Sequence, residues 1–468
     1  GYAAVEASWN DNRWQVQVTT NRLSLALLKQ QAALLDITTP EMGLSGRIEL
    51  DLFASGSLQG VDSVNWQVKF RETGFSEPSE RYLAEGLSGH WKGRLRLEAD
   101  IVKGTQGLSL AAGAILTPQF YLAPEDKPVS LEMLFRFTPS ADKLELERLV
   151  YRHPDVLEFS ADGVIGLAGE PVVTKLHLQT RPIDLEKLYQ AYLTPVLTAP
   201  FFEQLTLTGR LVAALVMDPE PGVHLELSQV GLMQGNGAQA QNIELHGLNG
   251  DLFWGQAARS SDSVLSWQGG RLFRGVELGA AKALLELTDR GVRLRQPLRL
   301  PVMDGFLQAE SFELEAGDSG PRLAFRGFLT PISMEKVSRA AGWPVLAGEL
   351  SGVIPGISYQ EDMLQVDGIM RISAFDGRIL IRDLRLDDLF GPLPILAADI
   401  EFKELDLETL TRTFSFGKIT GKLEGRVDGL RLENWFPVAF DARFATPEDD
   451  RSRHRISQKA VDNISNLG

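Results

Sequence analysis

The sequence predicts a mainly β protein: antiparallel strands with one apolar face, joined by a few short α-helices. Three observations carry this. Apolar residues recur at every second position over most of the chain, as at Val64, Trp66, Val68 and Phe70, with polar and often charged residues between them. Clusters of turn-forming residues separate these runs, at Gly74 to Pro78, Pro124 to Pro128, Asp162-Gly163 and Gly169 to Pro171. Helical periodicity is confined to about five short stretches, too few to cover both faces of a parallel sheet, so a doubly wound fold is set aside.

In chain order, Val5, Ala7, Trp9, Trp14, Val16 and Val18 form a hairpin with Asn10-Asp11-Asn12 at its turn. Residues 21–37 follow as a helix with a leucine stripe. Period two resumes from Leu44 to Asp100, where Trp91, Leu95, Leu97 and Ala99 share one face, and continues through Leu131, Met133, Phe135 and Phe137. A helix opens at Asp184, and alternation returns over 205–330, interrupted by a polar, Gly-rich loop from Gly231 to Ala240.

From Leu329 to Ser373 comes a unit that the rest of the chain repeats. A short helix (Ser333 to Ala341) leads to a Gly- and Leu-rich strand (Ala347 to Ile354), a turn at Pro355-Gly356, and a second strand (Met363 to Ser373). Asp184 and Asp406 open the same kind of helix, as does Ser24, and each leads to a Gly-x-Leu-like strand. Further strands are expected near Arg378–Leu386, Asp399–Leu405, Lys418–Leu432 and Val438–Phe444, and a helix from Ile456 to Leu467. The face of Ile379-Leu380-Ile381 stays open. We divide the chain into 1–200, an N-terminal β part with two helices; 201–330, a middle β part; and 331–468, a C-terminal domain of helix-strand units with a terminal helix.

Composition narrows the function classes. The chain has 468 residues, 44% of them apolar, and a net charge of −15. With no long basic run, neither nucleic acid nor a polybasic membrane patch is expected. There is no cysteine, which excludes disulfides, thiolate metal sites and cysteine nucleophiles within the chain. No run of about 18 apolar residues occurs to span a bilayer as a helix. The start at Gly1-Tyr2-Ala3-Ala4-Val5 lies already within a pattern, so we expect a piece of a longer protein whose anchor lies outside this chain.

Catalytic and metal motifs are weak. Ser333-Met334-Glu335-Lys336 matches the S-x-x-K of serine acyltransferases without its companion motifs. Asp184 and Asp406 hold the equivalent place elsewhere, which makes Ser333 a helix cap rather than a nucleophile. Gly235-Asn236-Gly237 lacks the third glycine of a dinucleotide loop, and Gly417 to Lys422 lacks P-loop spacing. The histidines are scattered (His90, His153, His177, His224, His246, His454) without metal-ligand spacing, and pairs such as Asp387-Asp388 and Asp449-Asp450 read as solvated turns. Asn463-Ile464-Ser465 is a sequon without further context. No enzyme activity, cofactor or metal is expected.

What remains is the apolar strand face. It can pack on a second sheet, close on itself as a barrel, or line an open groove that an apolar ligand fills. At ~4.8 Å between neighbours, roughly 25 strands in a single sheet would extend about 120 Å.

The C-terminal third resembles the YdbH branch of the AsmA-like intermembrane phospholipid transport proteins. The resemblance rests on Ala347 to Ile357 (AGELSGVIPGI), Gly417 to Val427 (GKITGKLEGRV), Asn434 to Ala442 (NWFPVAFDA) and Arg455 to Ser465 (RISQKAVDNIS). It implies an elongated, curved, U-shaped antiparallel β-sheet groove and a periplasmic protein that carries glycerophospholipids from inner to outer membrane. It further implies an inner-membrane anchor outside this chain and a small outer-membrane lipoprotein as partner. Acyl chains would then lie on Leu205, Leu207, Leu211, Val366, Met370, Ile372, Ile419, Leu423, Val427, Val438 and Phe440. The competing expectation is a ligand-free periplasmic scaffold with a closed β core that only spaces membrane partners.

Overall fold

Period-two patterning builds strands throughout the chain, and the described residues are mainly β with a few short helices. The computed structural model describes all residues except 35–41, 80, 125–126, 195–196, 198–203, 236–242, 256–261, 273–274, 318–319, 342–344, 346–347, 389–392, 414–416 and 466–468. The chain divides into two units, Gly1–Val230 and Gly231–Gly468. The loop expected from Gly231 starts later, since Gly231 to Gln234 continue the strand Pro221–Gln234; Asn236-Gly237 and the rest of that loop to Ala240 lie outside the described residues, as do Pro195, Pro200 and Leu467.

In the first unit, each long strand pairs antiparallel with the next. The opening hairpin joins Tyr2–Asn10 to Arg13–Asn21 and turns at Asp11-Asn12, both at positive φ, as a two-residue hairpin requires. Gly43–Ser57, Gly60–Ser76, Leu83–Glu98 and Ile101–Leu116 follow, then Val129–Thr138, Lys143–His153, Leu157–Gly166, Val172–Thr180 and Leu205–Met217. Ala99, expected on a strand face, lies instead in the turn after Glu98, at positive φ.

The second unit is also antiparallel, with shorter strands at its start. Ile243–Gly255 pairs with both Ser263–Trp267 and Gly269–Leu272. From Gly305–Gly317 onward the strands lengthen: Gly320–Ser333, Glu349–Gln360, Gly377–Asp387, Ile395–Asp406, Lys422–Glu433 and Phe436–Ala445. Among the described residues, Tyr2–Asn10 pairs only with Arg13–Asn21, and Phe436–Ala445 only with Lys422–Glu433. Each unit is mainly antiparallel sheet with a few short helices.

The helices are short: Leu25–Leu34, Leu185–Leu188 with a wider turn to Leu193, Met334–Ala341, Leu407–Thr413 and Gln458–Ser465. Two caps act as the sequence implies. Asp184 Oδ1 accepts the N–H groups of Glu186 and Lys187 at 3.1 and 3.2 Å, and Asp406 Oδ1 accepts that of Thr409 at 2.7 Å. Ser333 ends its strand, and its own N–H donates to Asp304 at 3.2 Å.

Five expected boundaries move. The helix expected over 21–37 begins only at Leu25, because Leu23–Ser24 pairs with Arg47 and Ile48, and the helix expected from Ile456 begins at Gln458, because Ile456 pairs with Ile419. Glu349–Gln360 runs straight through Pro355-Gly356, because the register shifts there and a bulge accommodates a residue without an N–H. The turn falls instead at Glu361-Asp362. The strand expected from Met363 to Ser373 breaks at Asp367-Gly368 into Met363–Val366 and Ile369–Ala374. The strand expected from Lys418 breaks at Gly421, which has a φ of +125°. Ile419–Thr420 leaves the main ladder and pairs with Arg455–Ile456.

Candidate ligand-binding face

Residues directly opposite one another in an antiparallel ladder point to the same face. The register therefore reveals rows of side chains running across strands. In the first unit Val5 faces Val18, Val18 faces Leu52, and Leu52 faces Trp66. The row goes on through Gly93, Gln106, Met133, Leu149 and Ala161 to Leu178 and Leu215. Gln106 is its one polar member. A parallel row holds Leu50, Val68, Trp91, Leu108, Leu131, Tyr151 and Phe159. The other face carries Lys69, His90, Ser109, Ser130, Arg152 and Glu158 in register.

The second unit repeats the plan. Leu300, Leu307, Leu329, Gly352 and Ile372 align, and continue into Ile379, Phe402, Gly425 and Phe444. Beside them run Met370, Ile381, Ile400, Val427 and Ala442. This settles the ambiguous triplet: Ile379 and Ile381 face the apolar side, and Leu380 sits between Arg371 and Glu401 on the other.

Glycine and aromatic residues pair across strands on this face. Trp66 lies over Gly93, Phe70 over Gly89, Phe135 over Gly104 and Phe444 over Gly425. A Cβ at any of these glycines would collide with the ring. The absence of a side chain lets the ring lie down on the neighbouring strand, which flattens the apolar floor. Trp66 and Trp91 meet edge to face at 5.4 Å.

The short helices close one end of each apolar face. Tyr192 joins Leu110, Leu122 and Val129 in a buried cluster, with Phe70, Leu188 and Leu193 packed around it. Its hydroxyl shares hydrogen bonds with Tyr151 Oη at 2.5 Å and with buried His153 Nδ1 at 2.8 Å. Burial pushes both tyrosines above the usual phenol range. In the second unit, Met334, Ala374, Phe375 and Leu405 form the equivalent cluster under Val337 and Leu410. Away from these clusters most of the same faces is half-buried, with single buried positions such as Ala161 and Val366, and Trp91, Leu97 and Leu108 are exposed outright.

The expected site residues fall into five groups. Leu205, Leu207 and Leu211 are half-buried on one side of Leu205–Met217, with Leu211 opposite Ile183. Met370, Ile372 and Val427 lie in the apolar rows, and Val366 is buried opposite Ile357. Leu423 faces Leu405 and packs, half-buried, against the buried cluster. Val438 and Phe440 stand on the edge strand, 54% and 59% exposed. Ile419 is set apart, since its ladder is the separate one with Arg455–Ile456. The sequence reading missed the aromatic–glycine pairs, whose signal exists only once register joins Trp66 to Gly93 and Phe135 to Gly104.

The motifs for other chemistry disperse. Lys336 Nζ stands 3.8 Å from Asp304 Oδ2. His177 contacts Asp162 at 3.1 Å, and His454 contacts Asp450 at 3.0 Å. Among the described residues no group of three or more His, Asp or Glu converges as a metal site would require, and no helix is long and apolar enough to cross a membrane. No family model, curated protein or solved structure matches the chain.

Proposed function

We propose that the chain holds the acyl chains of glycerophospholipids along its apolar sheet faces, as part of a periplasmic, bridge-like lipid transfer protein working between inner and outer membrane. One observation carries the reading. Rows of apolar side chains run in register across successive strands, and outside their helix-capped ends most of them are half-buried or exposed, single positions such as Ala161 and Val366 apart. A half-exposed apolar face of this extent is costly in water and is relieved by an apolar ligand. The sequence resemblance over the C-terminal third supports the choice of phospholipid and of compartment.

The mechanism is passive. Each buried CH₂ contributes about 0.8 kcal/mol, so one acyl chain is held without a specific polar contact. Aromatic rings laid flat over glycines keep the floor free of protruding side chains. Adjacent rows present the same chemistry, so a chain slides between near-equivalent positions while its headgroup stays in solvent. The inner-membrane anchor and the outer-membrane lipoprotein partner belong to this proposal.

Native mass spectrometry of the purified protein, with lipid extraction of the same sample, tests it. Phospholipid adducts are expected, and Leu108→Glu combined with Val427→Asp should remove most of them from a still-folded protein. A folded wild type that carries no lipid and takes up none from phosphatidylethanolamine vesicles would replace this reading with the scaffold.

A further inference from the structure

The polar face of the first unit carries a feature of its own. Strands Gly43–Ser57, Gly60–Ser76 and Leu83–Glu98 present Arg47, Lys69, Arg71 and His90 around a cavity of about 750 Å³, which Arg22 completes. Arg47 and Arg71 are direct cross-strand partners, and Lys69 stands between Glu49 on one neighbouring strand and His90 on the other. The cavity's carboxylates are Glu49 and Glu72, against four permanent cations. Among the described residues, none of these four cations has an ion pair within 4.0 Å.

Neighbouring strands on the same face behave differently. There Arg136 pairs with Glu145 and Glu147, Lys143 with Glu145, and Arg152 with Glu132. Like charges placed directly opposite destabilise a sheet unless an anion lies between them. In a chain of net charge −15, a concave pocket with excess positive charge focuses field on anions. Two guanidinium forks on adjacent strands, roughly 5 Å apart at Cα, suit the oxygens of one phosphate group. Ala111 also lines the cavity.

We infer that this pocket binds a phosphate-bearing ligand, with Arg47 and Arg71 gripping the phosphate and Lys69 and Arg22 adding charge. The site lies on the face opposite the apolar rows, since Lys69 and Arg71 alternate with Val68 and Phe70. It therefore stands independently of the acyl-chain proposal. The sequence contains no basic run here; register assembles the cluster from positions far apart in the chain.

Calorimetric titration with glycerol 3-phosphate in low salt, and flotation with phosphatidylcholine vesicles with and without phosphatidylglycerol, test the site on the whole chain. R47Q/R71Q should weaken binding about tenfold or more, and R136Q, which removes a paired cation on the same face, by less than about twofold. Should the double variant not fold, Arg71→Gln alone is read against the same control, with a loss of about threefold. Binding of the soluble probe supports the pocket with a small phosphate ester as its source. Binding only to the phosphatidylglycerol vesicles supports it with a lipid headgroup as source. No binding in either arm, or an equal loss in R136Q, overturns it.

Discussion

Leu108 and Leu110 sit two residues apart in one strand and point to the same face. Leu108 is 40% exposed and Leu110 is 6% exposed. Identical side chains on identical backbone meet different fates because Tyr192 packs against Leu110 and not against Leu108. The second unit makes the same distinction. Leu405, under its two short helices, is 2% exposed, whereas Phe440 and Phe444 on the edge strand are more than half exposed. At these positions burial follows the helices rather than sheet alternation alone. On the proposed reading the helices act as end stops, and the remaining apolar face is left for the ligand.

That comparison orders the expected effects of mutation. Leu405→Ala empties a closed cluster and should cost about 3 kcal/mol, read as a lower urea midpoint for the second unit. Leu110→Ala should cost about as much in the first unit, while Leu108→Ala should cost under about 1 kcal/mol, because its site is already half in water. Equal losses for the two leucines would show that the face is a closed core after all.

Gly93→Val ranks next. Its Cβ would strike the Trp66 ring, which must then rise off the floor. Overpacking of this kind costs about 1–3 kcal/mol. The lifted ring should also lower phospholipid uptake in native mass spectrometry and shift the tryptophan emission. Normal uptake with the emission shifted would separate ring position from ligand holding.

How much of this the sequence revealed follows from what each feature depends on. Strand faces and helix caps are local, so Trp66 with Val68, and Asp184 with Asp406, were legible from spacing and residue type alone. Register is not local. Pro355 looked like a turn because its missing N–H is a strand breaker unless a bulge excuses it, and the bulge is set by the partner strand. Ile419 matched the alternation of Leu423 and Val427, but Gly421 adopts a φ that turns the chain out of the sheet between them. The Arg47–Arg71 pair and the ring over Gly93 required the ladder itself. Leu423 illustrates the remaining gap, because alternation put it on the right face without showing that Met334 and Leu410 seal that end.

The smallest expected effect sharpens the end-stop argument most directly. Asp184 caps the helix that carries Tyr192, accepting two backbone N–H groups through Oδ1. Asp184→Ala should cost about 1 kcal/mol, since the exposed N–H groups turn to water in its place. The loss is local, so hydrogen exchange should quicken over Leu185 to Leu193 and around Leu110, and hardly at all around Leu108 and Met133. Acyl-chain occupancy should be unchanged, because the cap supports the stop and touches none of the open rows. If occupancy fell in step with the faster exchange, the Tyr192 cluster would be part of the ligand surface, and the boundary between Leu108 and Leu110 would no longer separate closed core from open face.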